Sequence, residues 1–169
     1  MNTIENLQQL YFDQLRDLYS AETQLVAALP EMVKNATNDR LRDAFADHLE
    51  ETCNHVSRIE RLFVEHGITA EGEECDAMRG LIEEAKKHIA STAPGDVRDA
   101  VLIASANRIE HYEIAGYGVA KAFAEVLEFD SAVDLLDQTL QEEGTADKFL
   151  TSIATGGLFS NGVNEDAVQ

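Results

Sequence analysis

The chain has 169 residues, of which 44% are hydrophobic, and a formal net charge of −19 at pH 7. This length and composition predict one globular domain with a real core and exclude an intrinsically disordered chain. The acidic balance argues against nucleic-acid binding, because a phosphate backbone requires a basic surface and no Lys/Arg cluster occurs.

Neither a membrane span nor an export signal is expected from the sequence. No apolar stretch reaches the roughly 18 residues that a span requires, and MNTIENLQQL lacks the basic start and apolar run of a secretory signal. We therefore expect a cytoplasmic protein with no membrane partner. Cys53 and Cys75 form no Cys-x-x-Cys pair, so neither a disulfide framework nor a zinc knuckle is expected.

The first predicted helix carries one carboxylate in its buried stripe. Apolar side chains recur every three or four residues from Ile4 to Leu29 and predict a helix over residues 3–34. Pro30 lies inside this pattern and predicts a kink or an early end near Leu29. Glu22 occupies a position where the stripe requires an apolar residue.

The second predicted helix has three polar residues in its stripe. Thr37 is expected to cap it, and Gly67 is expected to end it. Over two turns of this helix, the apolar stripe is interrupted by His48, Glu51 and His55.

A long connection separates this helical pair from a second one. Residues 67–95 contain a short amphipathic helix over residues 76–91, and a connection of this length can cross a bundle, as in ferritin-like folds. The third long helix opens near residue 96, and the fourth is capped by residue 130 or 131 and ends at residues 156–157. Their stripes carry Glu110, Glu113, Glu143 and Asp147.

These elements predict an all-α fold, a ferritin-like antiparallel four-helix bundle whose long crossover carries a short fifth helix. The bundle is expected to occupy residues 1–155 and to be followed by a flexible C-terminal tail, residues 156–169. Leu158 and Phe159 are the tail residues that could dock on the bundle.

Four glutamates stand at two matching intervals. Glu22 and Glu51 are 29 residues apart, Glu113 and Glu143 are 30 apart, and a turn is predicted near the middle of each interval. Because a helix rises 1.5 Å per residue, each hairpin returns its second glutamate to the height of the first. The hairpins also align as an internal repeat, in which Glu51 matches Glu143 and His55 matches Asp147.

This alignment predicts a metal site in one layer of the bundle. Removing a carboxylate from water costs several kcal/mol and like charges add to that cost, yet no lysine or arginine occupies a matching stripe position. Carboxylates with one imidazole suit iron or manganese, so we expect two iron or manganese ions per chain. The expected ligands are Glu22, Glu51, His55, Glu110, Glu113, Glu143 and Asp147.

Glu51 and Glu143 are the candidate catalytic residues, since they come from different hairpins and could bridge the two ions. His48 is either a further ligand or a hydrogen-bond partner that orients one. The alternative for each single residue is ordinary, because a lone helical glutamate is usually solvated. Glu50 and Glu142, next to the bridging pair, are expected to face solvent.

Four segments carry a resemblance to a known family: HLEETCNH, GLIEEAKKHI, VRDAVLIASANRIEHYEIAGYG and LQEEGTAD. They resemble the YciE/YciF family of ferritin-like stress proteins, over nearly the whole chain. The resemblance implies a rubrerythrin-like four-helix bundle, often dimeric, so a homodimer is expected. The family's biochemical activity is poorly defined, and the resemblance therefore bears on the fold more than on the reaction.

The chain departs twice from the wider di-iron pattern of Glu on one helix and Glu-x-x-His on its partner. It has Glu51-x-x-x-His55 and Glu143-x-x-x-Asp147, although both spacings keep the two residues on one helix face. The third long helix keeps the Glu-x-x-Glu of rubrerythrin. Rubrerythrin's Cys-x-x-Cys module is absent from the sequence, so electrons are expected to come from a substrate metal or an external donor.

Three functions follow as alternatives. The first is an oxidoreductase whose di-iron or di-manganese centre reacts with dioxygen or peroxide, oxidising ferrous iron or removing peroxide under stress. The second is iron storage or buffering in a cage. The third is a structural or partner-binding stress-response bundle without catalysis.

Overall fold

A computed structural model describes residues 3–157 and 161–168, and six helices account for most of them. They are α1 (Leu7–Asn35), α2 (Asp39–His66), α3 (Asp76–Ala90), α4 (Asp96–Val126), α5 (Asp130–Thr155) and α6 (Val163–Asp166). The helices α1 and α2 form one hairpin and α4 and α5 form the other. None of the helices in the described ranges is long and apolar enough to cross a membrane.

The four long helices form an antiparallel bundle. Helix α1 packs against α2 and α4, and α5 packs against the same two helices. Thr37, at the end of α1, bonds Asp99 at the start of α4, and Ser131, at the start of α5, bonds Glu65 at the end of α2. Since α2 and α4 run in the same direction, the connection between them traverses the bundle, with α3 packed on α1 and α4. The ferritin-like four-helix architecture is thereby confirmed.

Pro30 does not end α1, so the predicted early end near Leu29 is wrong. The helix continues through Pro30 to Asn35. Leu29 and Met32, on either side of the proline, are both buried in the core. Their packing holds the helix together across the hydrogen bond that proline cannot make, because helices in proteins owe most of their stability to tertiary contacts.

The N-cap of α2 is Asn38 rather than Thr37. The Asn38 side chain accepts a hydrogen bond from the Leu41 N–H at 3.2 Å. Thr37 instead donates its N–H and its hydroxyl to Asp99, which also accepts the Asn38 N–H at 2.8 Å. Asp99 is fully buried, and these bonds satisfy its charge while they fasten α4 to the turn of the first hairpin.

Residue 129 caps α5, rather than residue 130 or 131. Phe129 is the N-cap and makes no side-chain capping bond. Its ring lies 4.6 Å from the His66 ring and 5.6 Å from the Tyr11 ring, between centroids. This aromatic packing determines where the chain turns, and the capping propensity of the two following residues is overridden.

Part of the C-terminal tail packs on the bundle. Helix α6 contacts α4 and α5, and Val163 is buried in the same apolar cluster as Phe45 and Leu102. Leu158 and Phe159 lie outside the described residues, so their predicted docking is not tested. The flexibility of the tail likewise stays a prediction.

The core consists of two apolar clusters at opposite ends of the bundle. One contains Leu29, Phe45 and Leu102, and the other contains Tyr11, Leu62 and Leu136. Along every long helix, the residues between the two clusters include buried polar side chains. The fold therefore places a polar layer between two dry cores.

Candidate metal centre

The polar layer holds four carboxylates and two imidazoles that are almost inaccessible to solvent. Each side chain occupies a position in the apolar stripe of its helix, and each is at most 7% exposed. The structure thus buries five residues that were expected to be ligands, together with the histidine that was expected to be a ligand or its partner. The six are Glu22, His48, His55, Glu110, Glu113 and Glu143.

These side chains form two groups that share one member. In the first group, ligand atoms of His48, Glu110, Glu113 and Glu143 lie within 4.8 Å of one another. In the second, ligand atoms of Glu22, His55 and Glu143 do the same. Glu143 belongs to both groups, so it is the carboxylate that could contribute to both ions.

Most oxygen atoms of the layer have no hydrogen-bond partner in the protein. Both oxygens of Glu113, both of Glu143, and Oε2 of Glu22 and of Glu110 are buried and make no well-aligned hydrogen bond, although Glu143 Oε1 has a 2.9 Å ionic contact with His55 Nδ1. Buried polar atoms are nearly always hydrogen-bonded, and buried charges are paired or bind metals. Two cations would give these oxygens partners, and a set of carboxylates and imidazoles suits iron or manganese. The residues present therefore fit the dinuclear site.

The protonation of the layer reflects its crowding. Burial, followed by the charge of Glu143, raises the pKa of Glu113 and of Glu110 well above the ordinary value. Burial also raises the pKa of Glu22. For Glu143, burial acts in the same direction, but the hydrogen bond and charge of His55 outweigh it and hold its pKa below the ordinary value.

His55 is the positive charge of the metal-free layer. Its Nδ1 lies 2.9 Å from Glu143 Oε1 and 3.4 Å from Glu22 Oε1. Burial lowers its pKa, but these carboxylate contacts prevail and raise the pKa to about 10. A cation bound between Glu22 and Glu143 would replace the Nδ1 proton, so metal binding at this group releases protons.

The other nitrogen of His55 is held by Glu142, which was expected to face solvent. His55 Nε2 lies 3.0 Å from Glu142 Oε2, and Arg58 donates both terminal nitrogens to the two Glu142 oxygens. Burial raises the pKa of Glu142, but the Arg58 and Gln138 bonds outweigh it and lower the pKa to about 2. The Glu142 side chain is 27% exposed. It holds the imidazole of His55 so that Nδ1 faces the layer.

Tyr117 is a second orienting residue that the sequence did not identify, because its position in the stripe was read as apolar core. Its hydroxyl donates to Glu22 Oε1. The bond leaves only Oε2 of Glu22 unpaired, and it fixes the rotamer of that carboxylate against the layer.

Glu51 and Asp147 lie outside both groups. The Glu51 side chain is 47% exposed, with Oε2 at 3.6 Å from His48 Nδ1. Asp147 is 20% exposed and accepts a 2.6 Å hydrogen bond from Asn107. The structure thus does not bring these two carboxylates into the buried layer, and their roles as ligands, like the catalytic role of Glu51, stay predictions.

The register of the internal repeat explains the position of Glu51. The interval from Glu22 to Glu113 is 91 residues, and it equals the interval between the first residues of α2 and α5. The same interval relates Glu143 to Thr52, which is fully buried. Glu51 is therefore one residue, or about 100° of helix rotation, away from the counterpart of Glu143.

A pocket of about 150 Å³ leads from the surface to the first group. His48 and Glu110 lie at its inner end, and Asp47 and Glu51 are exposed or partly exposed in its wall. Phe149 and Leu150 of α5 form an apolar part of the pocket wall. The pocket gives small molecules and ions a route to the layer.

Comparisons with known proteins agree with this architecture. The family model described as a domain of unknown function, DUF892, matches residues 6–167. Protein YciF of Escherichia coli strain K12 is 43% identical over 168 residues, 99% of this chain and 96% of that protein.

Two solved structures also superpose closely on the chain. The crystal structure of the E. coli stress protein YciF has a TM-score of 0.85 and 42% identity, covering 88% of this chain and 94% of its own. YcfI from Rhodopseudomonas palustris, for which a structural role has been suggested, has a TM-score of 0.87 and 39% identity, covering 90% of this chain and 98% of its own.

Proposed function

The chain belongs to the DUF892 family, the family of the stress protein YciF, and from this premise we propose that it is a dinuclear iron or manganese carboxylate protein acting in oxidative defence. The observation that supports the proposal is the buried layer, in which most carboxylate oxygens lack hydrogen-bond partners and the side chains converge in two groups around Glu143. When bound, two such ions would supply redox chemistry toward peroxide or dioxygen.

The two groups assign the proposed ligands. His48, Glu110 and Glu113 would hold one ion, Glu22 and His55 the other, and Glu143 both. We retain Glu51 and Asp147 as proposed outer ligands, and Glu51 with Glu143 as the proposed catalytic pair.

The chain's own residues would prepare this centre for reaction. The apolar clusters on both sides keep water away from the layer except at the pocket, and this strengthens the electrostatic interactions inside it. Glu142 and Tyr117 hold His55 and Glu22 in position. The pocket beside His48 would admit dioxygen, peroxide or ferrous iron, and the exposed half of Glu51 stands at its wall.

Metal content tests the proposal most directly. Wild-type protein is expected to contain two iron or manganese ions per chain by elemental mass spectrometry. Glu143→Ala is expected to lose both, since it belongs to both groups, and to lose peroxide consumption and ferrous oxidation with them. Glu50→Ala, an exposed neighbour in α2, is the control and should behave as wild type. Wild-type protein that takes up neither metal on reconstitution would refute the proposal.

A structural or partner-binding role is the second candidate, because a structural role has been suggested for the R. palustris relative. It predicts that loaded protein neither consumes peroxide nor oxidises ferrous iron. Iron buffering in a cage is distinguished by size-exclusion chromatography. The proposed homodimer would elute at the mass of two 18.6 kDa chains, and a cage at many times that mass.

A further inference from the structure

A second group of polar side chains lies beside the carboxylate layer, where α1, α3 and α4 meet. Tyr112 on α4 donates its hydroxyl hydrogen to Asp17 Oδ2 on α1. The Tyr112 oxygen lies 2.9 Å from Cys75 Sγ. Cys75 is the N-cap of α3 and is buried. These three residues belong to neither ligand group, and they place a thiol against a phenol.

The thiol is held in this position from several sides. The Cys75 N–H donates to Ser20 Oγ at 2.9 Å, and the Cys75 carbonyl accepts from Gln24 Nε2 at 3.1 Å. Its Sγ accepts the Met78 N–H at 3.5 Å, as the cap of α3. The thiol therefore faces Tyr112 as a fixed neighbour, and its burial keeps dissolved thiols away from Sγ.

The hydrogen atoms of the group have a defined order. A tyrosine has one hydroxyl hydrogen, and that of Tyr112 is directed to Asp17. The contact between Cys75 and Tyr112 must therefore use the thiol hydrogen, with the phenol oxygen as acceptor. The resulting chain from thiol to phenol to carboxylate can carry protons away from Cys75 toward Asp17.

We propose that Cys75 and Tyr112 form an oxidisable pair, which a two-electron oxidation joins by a thioether bond between Sγ and the ring carbon next to the one that bears the hydroxyl. The contact geometry stands by itself. Only the oxidant rests on the proposed function. The proposed centre that reacts with peroxide would lie next to the pair, because Tyr112 directly precedes the proposed ligand Glu113.

The reaction balances in atoms and electrons. Tyr112 loses one electron and passes its hydroxyl proton to Asp17, which leaves a phenoxyl radical shared with the adjacent ring carbon. Sγ bonds to that carbon as the thiol proton moves to the phenol oxygen, and the second electron and the ring proton then leave. One S–H and one C–H bond break and one S–C bond forms. Hydrogen peroxide takes up the two electrons and two protons and becomes two water molecules.

The pair would thus be an internal source of two electrons in a chain without a Cys-x-x-Cys electron-transfer module. The new bond would also join the start of α3 to the middle of α4. It would tie the crossover covalently to the bundle at the level of the carboxylate layer.

Peptide mapping by mass spectrometry tests the inference. Protein loaded with ferrous or manganous ion is treated with one equivalent of hydrogen peroxide, denatured, alkylated and digested with trypsin. The chain is expected to lose the mass of two hydrogen atoms, and peptide 62–79, which contains Cys75, should be joined to peptide 109–121, which contains Tyr112. Peptide 43–58 should remain separate, with Cys53 alkylated.

Matched variants and a second oxidant separate the possible outcomes. Cys53→Ser should still form the link, whereas Tyr112→Phe keeps the ring and should abolish it. Metal-free protein treated with two equivalents of hexachloroiridate, a one-electron oxidant, should form the same link. A link under hexachloroiridate in a protein that binds no metal would refute the proposed function and leave this inference standing.

The opposite pattern would overturn the inference and leave the proposed function intact. It consists of a loaded protein that consumes peroxide while Cys75 remains fully alkylated or gains oxygen atoms as a sulfenic or sulfinic acid. Absence of the link under both oxidants would overturn the inference whatever the metal content.

Discussion

Replacing Glu113 by glutamine is expected to stabilise the metal-free protein at neutral pH, although the same change removes a proposed ligand. Glu113 is fully buried, neither of its oxygens has a hydrogen-bond partner, and burial and three neighbouring glutamates raise its pKa. Glutamine has nearly the same shape and no charge, so the unfavourable ionisation disappears.

The gain in stability has an upper limit, because buried Glu113 can take up a proton rather than remain charged. Keeping Glu113 protonated in the folded protein costs about 1.4 kcal/mol for each pH unit above its ordinary pKa of 4.5. At pH 7 this cost in folding free energy is therefore at most roughly 3 kcal/mol. The buried amide of glutamine also lacks a partner, which reduces the gain to about 1–2 kcal/mol. For a chain of this length, the Tm should rise by roughly 2–8 °C.

The pH dependence of the stability change provides a second test of its sign. A group whose pKa is raised on folding destabilises the folded state progressively as pH rises above its unfolded pKa. The difference between Glu113→Gln and wild type should therefore vanish near pH 4.5 and grow toward pH 7. Urea unfolding followed by circular dichroism, with a chelator present, measures it at both pH values.

The exposed Glu50 provides the matched control, since Glu50→Gln should change the free energy of unfolding by less than about 0.5 kcal/mol. A metal-free Glu113→Gln protein that is less stable than wild type at pH 7 would refute the reasoning. So would a gain of equal size at pH 4.5, because it could not arise from ionisation. In the metal-loaded protein the sign should reverse.

Three further changes test other parts of the structure. Glu142→Gln weakens the hold on His55 and should lower metal affinity about 10–100-fold in a chelator competition, with the stoichiometry at saturation unchanged. Asp99→Ala removes the buried acceptor of three hydrogen bonds and should cost about 3 kcal/mol in urea unfolding, whereas Asp96→Ala at the start of the same helix should cost less than about 1 kcal/mol. Gly67→Ala should cost about 1–2 kcal/mol by the same assay, because φ is 64° and no atom crowds the added Cβ; an unchanged midpoint would contradict the capping role.

The helical elements and most of the layer could be predicted from spacing alone. The apolar stripes placed Glu22, Glu113 and Glu143 in the bundle interior, and the structure buries all three. The prediction succeeded for these residues because each stripe is a property of one helix. Glu51 is not among the buried residues, because matching it to Glu143 assumed that both hairpins turn at equal intervals, and the two intervals differ by one residue.

The partners of the site residues could not be predicted in this way. Glu142 meets His55 from 87 residues away, and Tyr112 meets Asp17 from 95 residues away. Glu142 lies beside the apolar stripe of its helix rather than in it, so the pattern of that helix alone predicts that its side chain faces solvent. Arg58 on the neighbouring helix turns it inward.

Most interior positions, and the place where the chain crosses the bundle, follow from the sequence, because the 3.6-residue period and the turn residues act locally. The contacts between interior groups come from the packed bundle: His48 with Glu110, Glu143 with both groups, and Cys75 with Tyr112. These contacts depend on the rotation and the axial position of each helix relative to its partners. Both are set by the packing of side chains that are distant in the sequence.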